Sequence, residues 1–280
     1  MRPSHWVKNL FLFLPIFFAG KLGELFTSFD LWFAFINFSL AASAVYIFND
    51  IRDAEEDRQH PEKKHRPIAA EKISKSIGGT LGFFLLVAAV IFSFFIAIEE
   101  IIIGYILLNI FYTLYLKKIV LLDVSIISIG FVLRVLAGGM VTHTFVSKWI
   151  IIMTFLLAMC LAFGKRRDEL ILANNTKQEI KISLPGYTLE FLNLCLASVS
   201  VIIIICYILY GVSPEVIERM GTDKIYLTSF FVILGVFRFL QIVIVEEKSG
   251  SPTNILLYDK FLQWVLFGWI TSFTYLIYFL

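Results

Sequence analysis

Runs of roughly 17–22 apolar residues, broken by short charged stretches, recur along the whole of this 280-residue chain. A helix rises about 1.5 Å per residue, so about 20 apolar residues cover a hydrocarbon core about 30 Å thick. A soluble domain is about 45–50% apolar. Here the share is 59%, with 29 Phe, and the excess sits in the runs. Lipid offers a bare backbone no hydrogen bonds, so a spanning segment must be a helix or part of a closed barrel. The length of the runs and their lack of strict alternation select helices. The expectation is an all-α integral membrane protein with about nine transmembrane helices. They lie near 9–27, 31–49, 77–97, 101–118, 121–141, 149–164, 190–211, 226–245 and 262–280. No linker rich in Gly, Pro or Ser divides the chain, and no repeat of 20–50 residues is visible, so residues 1–280 read as a single membrane-embedded domain.

Lysine and arginine supply the sidedness. With the N-terminus in the cytoplasm, 18 of the 24 basic residues fall in inside segments and 4 in outside segments, while Arg134 and Arg238 lie within spans. Short loops rich in Lys and Arg stay on the cytoplasmic side. A multi-pass protein of the cell (inner) membrane is therefore expected, with a cytoplasmic N-terminus. A net charge of only +2 implies no nucleic-acid partner. Cys160, Cys195 and Cys206 lie in or beside apolar runs without ligand spacing and read as small buried apolar groups. Gly138-Gly139 reads as a place of close helix packing.

The chemistry concentrates in Asn49-Asp50-Ile51-Arg52-Asp53-Ala54-Glu55-Glu56-Asp57, directly after the second expected span. Asp50, Asp53 and Asp57 are spaced by 3 and 4, so a continuing helix sets them on one face. Three bare carboxylates repel one another. A hard divalent cation removes that penalty, and Mg²⁺ takes a few carboxylates together with substrate phosphates. A basic stretch follows, His60-Pro61-Glu62-Lys63-Lys64-His65-Arg66-Pro67. Cations beside metal carboxylates suit a polyanion such as a diphosphate. Arg134, inside a span, reads either as half of a structural pair or as a ligand contact.

Asn49-Asp50-x-x-Asp53-x-x-x-Asp57 resembles the first aspartate motif of the UbiA-type intramembrane prenyltransferases, whose helices surround a central cavity open to the cytoplasm. The linked set is more specific. Arg2-Pro3-x-x-Trp6-x-Lys8-Asn9, the run from Asn49 through Arg58, His60-Pro61, Lys63-Lys64 and Arg66-Pro67-Ile68-Ala69, Tyr112 to Lys117, Gly130 to Arg134, and Lys165-Arg166-Arg167-Asp168-Glu169-Leu170 together resemble the decaprenyl-phosphate phosphoribosyltransferase branch. Two departures stand out. A second Asp-x-x-x-Asp motif is usual after the sixth helix, and here that place is Lys165-Arg166-Arg167-Asp168-Glu169. The branch also tends to have Gly where this chain has Glu71.

The resemblance implies transfer of 5-phosphoribose from 5-phosphoribosyl 1-diphosphate to a polyprenyl monophosphate of the decaprenyl type, with release of diphosphate. It implies Mg²⁺ on Asp50, Asp53 and Asp57, which are also the expected catalytic residues. Neutralising the leaving diphosphate and stabilising positive charge on the ribose ring are the tasks. The attacking phosphate is already an anion, so positioning and electrostatics suffice. Lys63, Lys64, Arg66, Lys165 and Arg166 are expected at the donor's other phosphate, and Lys8 and Lys117 at the acceptor phosphate. Asn9, Asn49, Arg58, Tyr112, Arg134 and Glu169 complete the expected substrate-binding set. Membrane lipid is the further partner. Two other readings compete: a prenyltransferase that moves a prenyl group from its diphosphate to an aromatic or lipid acceptor, and a transporter. Inverted repeats and midplane charges mark transporters; neither is visible here.

Overall fold

In the computed structural model, residues 3–59, 63–176, 186–247, 255 and 258–279 are described. His60, Pro61 and Glu62 of the basic stretch lie outside them, as do Arg2, Lys177, Lys181 and Lys248. The described residues are helical, with no strand. A 3₁₀ segment, Pro3–Phe13, leads into α1 (Leu14–Phe18). Then come α2 (Phe29–Arg52), α3 (Ala54–Gln59), α4 (Lys75–Phe94), α5 (Glu99–Leu114) and α6 (Leu122–Val141). The remainder is α7 (Lys148–Thr176), α8 (Leu189–Val212), α9 (Pro214–Met220), α10 (Ser229–Leu240) and α11 (Lys260–Tyr278). A π turn, Gln241–Val245, extends α10.

Polar residues start the helices where sequence logic puts them. Ser28, Ser74, Thr188 and Asp259 each accept a hydrogen bond from the backbone N–H three residues on, satisfying a donor that a helix end leaves open. Seven helical segments are long and apolar enough to cross a membrane: α2, α4, α6, α7 (counted over Lys148–Ala173), α8, Ile225–Val245 and α11. The other two expected spans take shorter forms. The fourth becomes α5, of 16 residues. The first is largely the 11-residue 3₁₀ segment. At about 2.0 Å per residue, a 3₁₀ helix reaches further than an α-helix of equal length. The sixth runs past its expected end at residue 164, because Lys165, Arg166 and Glu169 are good helix formers and pair at i,i+3 and i,i+4.

Two compact units form. The first holds the N-terminal segment up to Ile16 and Gly23–Val146. Its core joins Leu12 and Ile16 to Leu31, Phe38, Ala41 and Ala42 of α2 and to Ile102 and Tyr105 of α5. Small residues set the spacing. A Cβ on Gly138 would stand 1.9 Å from the Leu12 carbonyl oxygen, so α6 meets the N-terminal segment backbone to backbone. This is the close packing expected of Gly138. On α4, Gly82 makes room for a side chain: a Cβ there would stand 3.1 Å from Ile47 Cγ2. Only 22% of the α4 apolar stretch is buried, so Phe83, Phe84 and Phe94 face outward, as lipid contact requires.

The second unit holds Phe17–Leu22 and the chain from Ser147. Phe17, Phe18, Trp269 and Phe273 stack there with ring centroids 5.3–6.0 Å apart. Arg167 is a structural clamp: its guanidinium donates to Asn193 Oδ1 at 2.8 Å and to the Val243 and Ile244 carbonyls at 2.6 and 3.3 Å. Those carbonyls end the π turn, where intrahelical donors run out. Arg238 meets Asp259 at 2.6 Å and Glu246 at 2.7 Å. The Arg238 hydrogen bond holds the Asp259 carboxyl below the usual carboxylate range.

Candidate active site

The acidic face forms because helical bonding barely breaks after α2. Asp53 N–H donates to Asn49 O at 2.9 Å, and Asp57 N–H to Asp53 O at 2.8 Å. Asp50 and Asp57 consequently point the same way and meet one guanidinium. Arg66 Nη1 donates to Asp57 Oδ2 at 2.5 Å and to Asp50 Oδ1 at 3.3 Å. Asp53 takes a different partner, Lys117 Nζ at 2.5 Å. Beside it Thr113 Oγ1 donates to Asn49 Oδ1 at 3.3 Å. Thr113 and Lys117 are four residues apart at the end of α5 and the turn after it, and they tie that end to the acidic face. Thr113 escaped sequence analysis, although its i,i+4 spacing to Lys117 was a usable signal.

Arg66 reaches the aspartates because the loop between α3 and α4 is braced. Arg58 donates to the Ala69 carbonyl at 3.2 Å and pairs with Glu71 at 2.7 Å. Arg58 is thus a loop brace and not a group among the aspartates. Glu71 itself has φ of +57°, the left-handed region that glycine occupies without cost. That is the position where the branch tends to have Gly. Lys75 holds Glu55 at 3.1 Å and, chiefly through that hydrogen bond, keeps its carboxyl below the usual range. Lys64 is exposed and Lys63 half-buried on the 3₁₀ turn Lys63–His65.

Deeper in the same unit Arg134 is buried among neutral partners. Its Nε donates to Asn9 Oδ1 at 2.7 Å, Nη1 to Gly130 O at 2.6 Å and Nη2 to Tyr105 Oη at 3.1 Å. The rings of Tyr105, Phe38 and Phe131 surround the charge at 4.9, 5.6 and 5.6 Å. Asn9 in turn donates to Ser39 Oγ at 2.9 Å. Among the described residues Arg134 has no acidic partner. Aromatic faces and carbonyl dipoles offset its desolvation in place of a carboxylate. Arg134 and Asn9 therefore bind each other, fixing the segment that carries Lys8. Tyr112 and Lys8 are half-buried in this first unit. Lys165, Arg166 and Glu169 belong to the second, where Arg166 meets Glu169 at 2.5 Å and Lys165 stands 3.9 Å from it.

The donor set suits a hard cation. Asp50 and Asp57 each place an oxygen on the same nitrogen, so the two carboxylates already converge where a positive charge is held. Mg²⁺ commonly takes one or two carboxylates and completes its shell with water and phosphate. Among the described residues no three His, Cys, Asp or Glu side chains stand close enough to hold one ion. Asp53, turned to Lys117, accounts for the difference from a three-carboxylate arrangement.

The profile of the UbiA prenyltransferase family matches residues 9–178. The decaprenyl-phosphate phosphoribosyltransferase of Mycolicibacterium smegmatis is 31% identical, over 100% of this chain and 91% of that one. The protein of the same name from Corynebacterium glutamicum is 30% identical, over 96% of this chain and 83% of that one. Among solved structures, a UbiA homolog from Archaeoglobus fulgidus bound to DMAPP and Mg²⁺ superposes with a TM-score of 0.70 at 16% identity, covering 100% and 98% of the two chains. The chain therefore belongs to the UbiA prenyltransferase family, on the branch of the decaprenyl-phosphate phosphoribosyltransferases.

Proposed function

We propose that this protein transfers 5-phosphoribose from 5-phosphoribosyl 1-diphosphate to a polyprenyl (decaprenyl-type) monophosphate and releases diphosphate. The observation that carries this reading is the alignment, along the whole chain, with phosphoribosyltransferases of that acceptor class. The acidic face with its basic partners supports it chemically. Bound Mg²⁺ would neutralise the leaving diphosphate as the C1–O bond breaks. Asp50 and Asp57 are the residues we assign to hold it, with Asp53 beside them. Arg66, which already meets that face, and Lys63 and Lys64 on the turn just before it would supply cations for the donor. Lys8, next to the Asn9–Arg134 bond, is the cation we assign to the acceptor phosphate, with Asn49 and Tyr112 as further polar contacts. Lys165, Arg166 and Glu169 replace the second acidic motif, so cations there take a phosphate directly. The acceptor phosphate is anionic and needs no base. Nine crossings, a cavity open to the cytoplasm and a cytoplasmic N-terminus belong to this reading, supported by the 18 to 4 distribution of basic residues.

The test is donor turnover. Full-length protein in detergent receives decaprenyl phosphate, Mg²⁺ and radiolabelled 5-phosphoribosyl 1-diphosphate. Label should move into the lipid phase, and Asp50→Ala, Asp57→Ala or EDTA should abolish the movement. No transfer by the wild type, with turnover of a prenyl diphosphate instead, would sink the proposal in favour of prenyl transfer.

A further inference from the structure

The aspartates of the acidic face are not bare. Arg66 and Lys117 come from separate parts of the chain, a loop before α4 and the turn after α5, yet both end on this face. The pairs are well shielded. Side-chain exposure is 22% for Arg66, 12% for Asp50 and 6% for Asp57, and 16% and 17% for Lys117 and Asp53. A divalent ion reaching Asp50 and Asp57 must displace Arg66, and one reaching Asp53 must displace Lys117. A displaced cation that stays shielded needs a new anion, since leaving a partly buried charge unpaired is costly. A bare metal ion brings no anion. A metal–diphosphate complex does.

We propose that Arg66 and Lys117 are exchangeable counter-cations, passing from aspartate oxygens to diphosphate oxygens as the metal and the donor's diphosphate arrive together. The inference rests on the diphosphate-donor reading above. It moves Lys117 from the acceptor phosphate to the leaving group. It also makes metal binding conditional on diphosphate: the site discriminates against free cations because its carboxylates are already neutralised, and the diphosphate keeps both displaced charges paired. Arg66 suits this because its planar fork matches phosphate oxygens as well as carboxylate oxygens. Lys117 suits it because a compact ammonium on a four-carbon stem swings between neighbouring anions.

Metal affinity, and not turnover, tests the exchange. Full-length protein in detergent is brought to dialysis equilibrium with Mn²⁺, with inorganic diphosphate equal on both sides where it is present, and the excess Mn²⁺ retained with the protein is counted by electron paramagnetic resonance after acid release. Without diphosphate, K117M and R66M should each bind Mn²⁺ about tenfold more tightly than wild type, while K117R stays at the wild-type level. With inorganic diphosphate present the order should reverse, because the variants lack a phosphate contact. Unchanged or weaker Mn²⁺ binding by both variants in the absence of diphosphate overturns the exchange. So does a wild type that binds Mn²⁺ equally tightly with and without diphosphate, a comparison that needs no variant. Label transfer decides the donor separately. A wild type that uses prenyl diphosphate but shows these affinity shifts keeps the exchange and loses the phosphoribosyl reading. The converse result keeps the transfer and loses the exchange.

Discussion

Replacing Gly138 by Ala adds one methyl group where the structure has no room for it. The new Cβ would lie 1.9 Å from Leu12 O, 2.8 Å from Leu12 C and 3.0 Å from Leu12 Cα. These are backbone atoms, so no rotamer relieves the clash. The N-terminal segment must retreat by about 1 Å, and its neighbours Ile16, Ala41 and Phe38 lose contact. Overpacking of this kind costs about 1–3 kcal/mol. Alanine's helix propensity returns up to about 1 kcal/mol. Gly104 is the control, because its Cβ would meet nothing within 4 Å, so Gly104→Ala isolates the propensity gain. At about 2–4 °C per kcal/mol for a chain of this size class, Gly138→Ala should melt several degrees below Gly104→Ala. The assay is thermal unfolding in detergent followed by tryptophan fluorescence. Transfer activity should fall too, since Asn9 and Lys8 move with Leu12. A Gly138→Ala protein that melts at or above the Gly104→Ala protein would refute the backbone-to-backbone approach of α6 to the N-terminal segment.

Other substitutions separate further parts of the account. Glu71→Gly relieves a left-handed φ worth about 1 kcal/mol and loses an exposed pair worth less, so the melting temperature should hold or rise slightly; a clear fall would show that the Arg58 brace matters more than the strain. Arg167→Met strands three acceptors and should destabilise the second unit by about 3 kcal/mol, with faster hydrogen exchange at residues 241–247; Arg167→Lys should not restore it, because an ammonium lacks the guanidinium fork. The pair of Asp259 with Arg238 depresses the folded carboxyl value, so its contribution is complete above the unfolded value of about 3.9 and fades as pH falls through the folded value. The stability gap between wild type and Asp259→Asn should therefore be flat from pH 8 to pH 5 and shrink below pH 4, and a gap that widens on acidification would contradict the pairing.

Much of the molecule was legible before any coordinates. Apolar run length located every long helix, because a fixed bilayer thickness and a fixed helical rise leave little freedom. The 3 and 4 spacing of Asp50, Asp53 and Asp57 announced a shared face, since helical periodicity is a local property; Asp50 and Asp57 keep it, while Asp53 turns to Lys117. Gly138 was legible as a packing residue for the same reason. Glu71 was legible as a departure, but only its φ explained why glycine is usual there. The sixth span was cut short because hydropathy stops at the membrane edge, whereas a helix continues while its side chains favour it.

By itself, then, the sequence determined what depends on near neighbours and on solvent: helical spans, the acidic stretch and the bias of positive charge. Only the tertiary structure decided who meets whom. Asp53 finds Lys117 across 64 positions and Arg134 finds Asn9 across 125. Such pairings are set by which helices pack side by side, and the chain pattern around each residue carries no record of a partner so remote. The pattern around Arg134 left a structural pair and a ligand contact both open, and only the packing shows an asparagine, a carbonyl, a tyrosine hydroxyl and three rings around its charge.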